Sequence, residues 1–191
     1  MPTLRRLAIC LAALLAATPA LAHPGDPGHG IAHGFAHPFG GLDHLLAMVA
    51  VGAWAAQLGG RARWLVPAGF VGAMMLGAVA GLVGIALPLV EAGIAASVLL
   101  LGLMVALVVR MPTGVSATLV AIFAVFHGHA HGSELPVGES ALAYALGFVA
   151  ATVALHGAGL TAGLRSGRLG RGLVRAGGAG AAAAGLAMML G

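Results

Sequence analysis

Beyond residue 41 the chain is organised as six apolar runs separated by short segments that carry most of its charge. The runs fall at about 42–58, 64–84, 89–109, 114–132, 140–162 and 173–190. Each is close to the ~20 residues that a helix needs to cross a bilayer. Irregular backbone or an open strand could not satisfy its hydrogen bonds in lipid, so each run is expected to be a helix. The second and third runs form one long apolar stretch, and Gly84 to Pro88 is the expected break, because Pro88 disfavours a continuous helix and suits a first turn. Residues 23–41 differ in kind. They are rich in His, Gly and Pro, and Pro38, Gly40 and Gly41 predict a flexible, non-helical approach to the first span. The expected fold is an all-α integral membrane protein, a bundle of six transmembrane helices.

Residues 1–22 read as a cleaved signal peptide. Arg5 and Arg6 supply the positive start, Leu7–Ala17 an apolar stretch too short to span comfortably, and Ala20-Leu21-Ala22 the small-x-small cleavage site. Three parts follow: a signal over 1–22, a periplasmic His/Gly/Pro-rich segment over 23–41 and a six-helix membrane domain over 42–191. Cleavage leaves seven arginines against five acidic residues, a charge of +2. With the mature N-terminus outside, Arg61, Arg63, Arg110, Arg165, Arg168, Arg171 and Arg175 all fall on the cytoplasmic side, whereas Asp26, Glu91, Glu134 and Glu139 fall outside. The arrangement obeys the positive-inside rule and predicts an inner-membrane protein with both mature termini in the periplasm.

Composition narrows the function. The chain is 60% hydrophobic and 7% charged, contains 32 glycines and no lysine, and has a mean hydropathy of +1.04. That is no soluble domain. A pI near 11.1 suggests nucleic acid, but the arginines are dispersed and aromatic residues make up only 5%, which leaves no stacking platform. Cys10 is the one cysteine and lies within the signal, so the mature chain excludes disulfides, thiolate metal sites and cysteine catalysis. Glycines such as Gly77 and Gly81, Gly157 and Gly159, and those between Gly177 and Gly185 predict close helix packing. Met74, Met75, Met104, Met188 and Met189 are expected as core filling, Glu91 as an interfacial charge, and Trp54 and Trp64 as parts of an aromatic belt.

Against this background two segments stand out: His37-Pro-Phe-Gly-Gly-Leu-Asp43-His44, and Phe126-His127-Gly-His129-Ala-His131-Gly-Ser-Glu134. They hold five of nine histidines and two of five acidic residues. Such groups are costly near a bilayer core and mark functional sites, and imidazole is the commonest metal ligand. Helical spacing stacks His127, His131 and Glu134 on one face and turns His129 elsewhere. Topology brings both motifs to the outer leaflet, with His127 one turn deeper than His131, roughly 6 Å along a helix rising 1.5 Å per residue. His37 can then fold back toward Asp43 and His44. His156, in the inner half of the fifth span, fits a later step of a path as well as a structural bond. His23, His29 and His33 fit metal capture as well as a polar tail.

The pattern His37-x5-Asp43-His44, followed by Phe126-His127-Gly-x-Ala-His131-Gly-x-Glu134, resembles the HupE/UreJ family of nickel/cobalt membrane proteins, associated with hydrogenase and urease gene clusters. The likeness extends over essentially the whole mature chain. It implies a secondary permease that supplies Ni²⁺ or Co²⁺ as transported substrate, with no permanently bound cofactor and no enzymatic activity. It also implies a link to hydrogenase or urease maturation. The motif residues carry over onto His37, Asp43, His44, His127, His131 and Glu134, and His129 occupies a variable position. No P-loop is present, so ATP hydrolysis by this chain is not expected. Three rival classes stay open on the residues alone: an intramembrane zinc hydrolase with Glu134 as base, a haem protein with axial histidines, and a sensor or buffer that binds metal without moving it.

Overall fold

The structure, a computed structural model, describes residues 27–135, 138, 140–165 and 167–191, with side chains from residue 30 onward. The expected signal segment, His23, Asp26 and Glu139, together with the His29 side chain, lie outside the described residues. Every element among those described is helical: α1 (Pro27–Gly40), α2 (Leu42–Leu58), α3 (Ala62–Leu82), α4 (Val90–Leu107), α5 (Thr113–Ser133), α6 (Ala141–Arg165) and α7 (Arg168–Leu190). Helices α3 to α7 are long and apolar enough to cross a membrane, and together they make this a multi-pass membrane chain. The six apolar runs reappear as α2 to α7, displaced by a few residues at their ends.

Helix α2 is the hub. It packs against all six other helices, and Ala47, Met48, Val51, Trp54 and Ala55 are buried along it. Around it the helices pair by glycine contact. A Cβ added at Gly128 or Gly132 in α5 would collide with the carbonyl of Met74 or Ala78 in α3, and one at Gly77 or Gly81 would collide with α5 in return. Lipid offers no hydrophobic drive between helices, so this close approach supplies the packing energy. The expected break between α3 and α4 is present as Val83–Leu89, with Gly84 at φ +76° and Leu89 also left-handed.

Three expectations are corrected. Residues 27–40 are helical, not a flexible lead-in. Pro38 removes a helical N–H, yet α1 is held by its docking on α6, where Gly34 lies against the Tyr144 carbonyl and Gly147 against Ile31. The irregularity is confined to Gly41, where the chain is extended and turns by 87° between α1 and α2. Trp54 is fully buried, and its indole donates to the Val109 carbonyl at 2.8 Å, so it is not part of an aromatic belt, whereas Trp64 is 71% exposed. Met74 is fully buried, but Met188 and Met189 at the end of α7 are exposed.

The two ends of the bundle differ in charge. Gln57 and Arg175 donate to the Val105 and Ala106 carbonyls at 3.0 and 2.8 Å, which gathers the ends of α2 and α4 and the start of α7 with the arginine-bearing turns. The histidine motifs lie at the opposite end.

Candidate metal site

The bend at Gly41 carries α1 back over the outer end of α5. The His37 ring meets the His131 ring edge-on at 4.7 Å between centroids, and Nε2 of His37 lies 3.8 Å from Oε2 of Glu134, the residue that ends α5. One ligand atom from each of His37, His131 and Glu134 falls within 4.8 Å of the others. His44, in the first turn of α2, stands against both His131 and His127, with ring centroids 4.4 and 4.7 Å apart. The structure thus brings His37, Asp43, His44, His127, His131 and Glu134 into one cluster built from α1, α2 and α5.

Hydrogen bonding decides which nitrogens are available. The Asp43 carboxylate accepts from Nδ1 of His44 at 2.8 Å and from the His44 backbone N–H at the same distance. A carboxylate can only accept, so Nδ1 carries the hydrogen and Nε2 keeps its lone pair. That Nε2 is buried without a hydrogen-bond partner among the described residues. At His127 the orienting group is Ser97 of α4. The serine spends its one hydrogen on the Ile94 carbonyl at 2.6 Å, so it accepts from Nε2 of His127 at 2.7 Å. Nδ1 of His127 is left bare and buried. His131 is also buried, and neither of its ring nitrogens has a partner among the described residues. Buried polar atoms ordinarily find partners. Here bare nitrogens and two carboxylates collect at one place, a donor set able to hold a borderline divalent ion.

A cleft of about 530 Å³ leads to the cluster, lined by His33, His37, Asp43, His44, Glu91 and Glu134 among others. His37 lies on α1, outside the long helices. Burial pulls its imidazole below the ordinary 6.5, and the Glu134 carboxylate opposes this. Lowering keeps the ring neutral, the form that can ligate.

Two residues contribute more than the sequence suggested. Glu91, in the first turn of α4, lines the cleft rather than standing alone at the interface. Ser97 gave no signal at all beyond being a hydroxyl in an apolar helix. Two candidate ligands lie apart from the cluster. Nε2 of His129 bonds the Ile85 carbonyl at 2.7 Å, tying α5 to the turn after α3. His156 is buried on α6 beside Phe70. His131, at the outer end of α5, is covered by α1 and Phe148.

The family model for HupE / UreJ protein matches residues 11–188. The chain belongs to the HupE/UreJ family. Among curated proteins, Protein HupE of Rhizobium leguminosarum bv. viciae is 50% identical over 187 residues, covering 97% of this chain and 98% of that protein. No solved structure matches. HupE/UreJ proteins are associated with nickel and cobalt transport, and with nickel handling for hydrogenase and urease, rather than with catalysis.

Proposed function

We propose that this HupE/UreJ protein is a secondary permease that takes Ni²⁺, or Co²⁺, from the periplasm to the cytoplasm without ATP. The observation that carries the reading is the convergence of bare nitrogens on His44, His127 and His131 with His37, Asp43 and Glu134 at the end of the bundle away from the arginines. On this reading α2 is a sixth span, with 17 residues giving about 26 Å of helix against a ~30 Å hydrocarbon core. The signal over 1–22 is removed, both mature termini lie in the periplasm, and α1 rests at the outer surface of the inner membrane. Asp43 and Glu134 offset the charge of the arriving ion, and imidazoles replace its water. An inside-negative potential of 100 mV contributes about 4.6 kcal/mol to entry of a divalent cation, from ~2.3 per charge, enough to drive uptake without a second ion.

The test is metal uptake by proteoliposomes holding the purified mature protein, with Ni²⁺, Co²⁺, Zn²⁺ and Mn²⁺ compared under an imposed potential. Nickel or cobalt influx, lost in Asp43→Ala and His127→Ala, is the expected result. Tight binding without influx through folded protein would mean a sensor or buffer instead.

A further inference from the structure

Deeper than the outer cluster lies a second group of buried donors. His156 of α6 is 4% exposed, and neither of its ring nitrogens has a hydrogen-bond partner among the described residues. One turn earlier on the same helix face, the buried Thr152 hydroxyl donates to the Phe148 carbonyl at 2.9 Å and lies 3.7 Å from the sulfur of Met74. Met74 in turn follows Phe70 by one turn of α3, and both are fully buried. The Phe70 ring meets His156 edge-on at 5.1 Å and lies tilted against His127 at 5.8 Å, centroid to centroid. Phe70 therefore touches both His156 and the deepest ligand of the outer cluster. Gly52 of α2 abuts the His156 carbonyl so closely that a Cβ there would collide with it, which fixes α6 at this turn.

The chemistry of this group argues for a ligand. Elsewhere in the bundle His129 finds a carbonyl, as a buried imidazole kept for structure does. His156 leaves both nitrogens unpaired in apolar surroundings, an unfavourable state that a leucine of similar bulk would avoid. A lone pair one helical turn from a hydroxyl oxygen that itself touches a thioether is instead a donor set for a borderline divalent ion. We propose that His156, with the Met74 sulfur and the Thr152 hydroxyl, forms an inner binding station for a divalent transition-metal ion, in contact with the outer cluster through the Phe70 ring. This rests on the permease reading. An ion leaving Nδ1 of His127 passes Phe70 and is received by His156 before it reaches the arginine-bearing end.

The experiment follows ⁶³Ni²⁺ in two ways: influx into proteoliposomes under an inside-negative potential, and equilibrium dialysis against the same purified full-length mature protein. His156→Leu removes the donors and keeps the bulk, and His156→Gln keeps polarity without the imidazole. Both variants are expected to bind nickel at the outer cluster within about twofold of wild type, and His156→Leu to melt no lower than wild type. Influx should fall at least about tenfold in both, the scale on which ligand-shell changes act. Met74→Leu, near-isosteric, is expected to lower influx by a smaller factor. Influx within twofold of wild type in either folded variant overturns the inner station, as does a parallel loss of nickel binding and melting temperature, which would assign His156 to packing. If the leucine variant does not fold, the glutamine variant decides. Wild-type protein that admits no nickel at all would sink the permease reading, an outcome that the variants cannot mimic.

Discussion

At the residue scale, tautomers matter more than the number of histidines. Ser97 gives its hydrogen to Ile94 and so leaves Nδ1 of His127 free. Ser97→Ala is expected to weaken nickel binding by about 10- to 100-fold with the fold intact, and Ser97→Thr to keep most of it, both measured by dialysis. Asp43→Asn tests the same logic in α2. An amide can offer its NH₂ to Nδ1 of His44, which moves the ring hydrogen to Nε2 and removes the donor. A pH effect belongs here too. Protonation takes away a ligand lone pair, so binding falls as pH falls, and burial places the His37 transition below 6.5. Glu134→Gln removes the stronger of the two carboxylate influences that raise it, so NMR titration of the His37 ring should show a midpoint lower still.

At the scale of elements, the α3–α5 contact sets how the deep histidines are held. Gly128 sits between His127 and His129 with the Met74 carbonyl against it. Gly128→Val is expected to destabilise the protein by about 1–3 kcal/mol or more, since rigid backbone, not a yielding side chain, opposes the new atoms. Loss of folded yield and a lower melting temperature would register it. The six long helices were legible in the sequence because lipid forces a long apolar run into helix whatever its neighbours do. The α3–α4 break was legible for a local reason, Pro88. Helix α1 was not: Gly30, Gly34 and Pro38 are poor helix formers in isolation, and α1 folds because the two glycines let it lie on α6. The motif histidines were legible by spacing, and His129 does turn aside to the Ile85 carbonyl, but the role of Ser97 and the burial of Trp54 depend on what faces them, His127 from α5 and Val109 after α4.

The whole molecule is polarised, with carboxylates and imidazoles at one end and arginines at the other. On the proposed topology, in which the segment that holds Cys10 is removed, a chain with one introduced cysteine reports orientation directly. Leu135→Cys, just past α5, should react with an impermeant maleimide from outside intact cells, and Leu169→Cys at the exposed start of α7 only after permeabilisation. The reverse pattern would turn the cluster toward the cytoplasm. The docking of α1 has a further consequence, one of order in time. By the end of α5 synthesis has produced His37, Asp43, His44, His127, His131 and Glu134 or is one residue short of doing so, yet α6, the surface on which α1 rests, has still to be made. A nascent chain stalled at Leu135 has made all six residues of the cluster but lacks the α6 surface on which α1 rests. On the permease reading, competence to capture metal arises late in biogenesis, after α6 has entered the bilayer, and incomplete chains are expected not to sequester the ion.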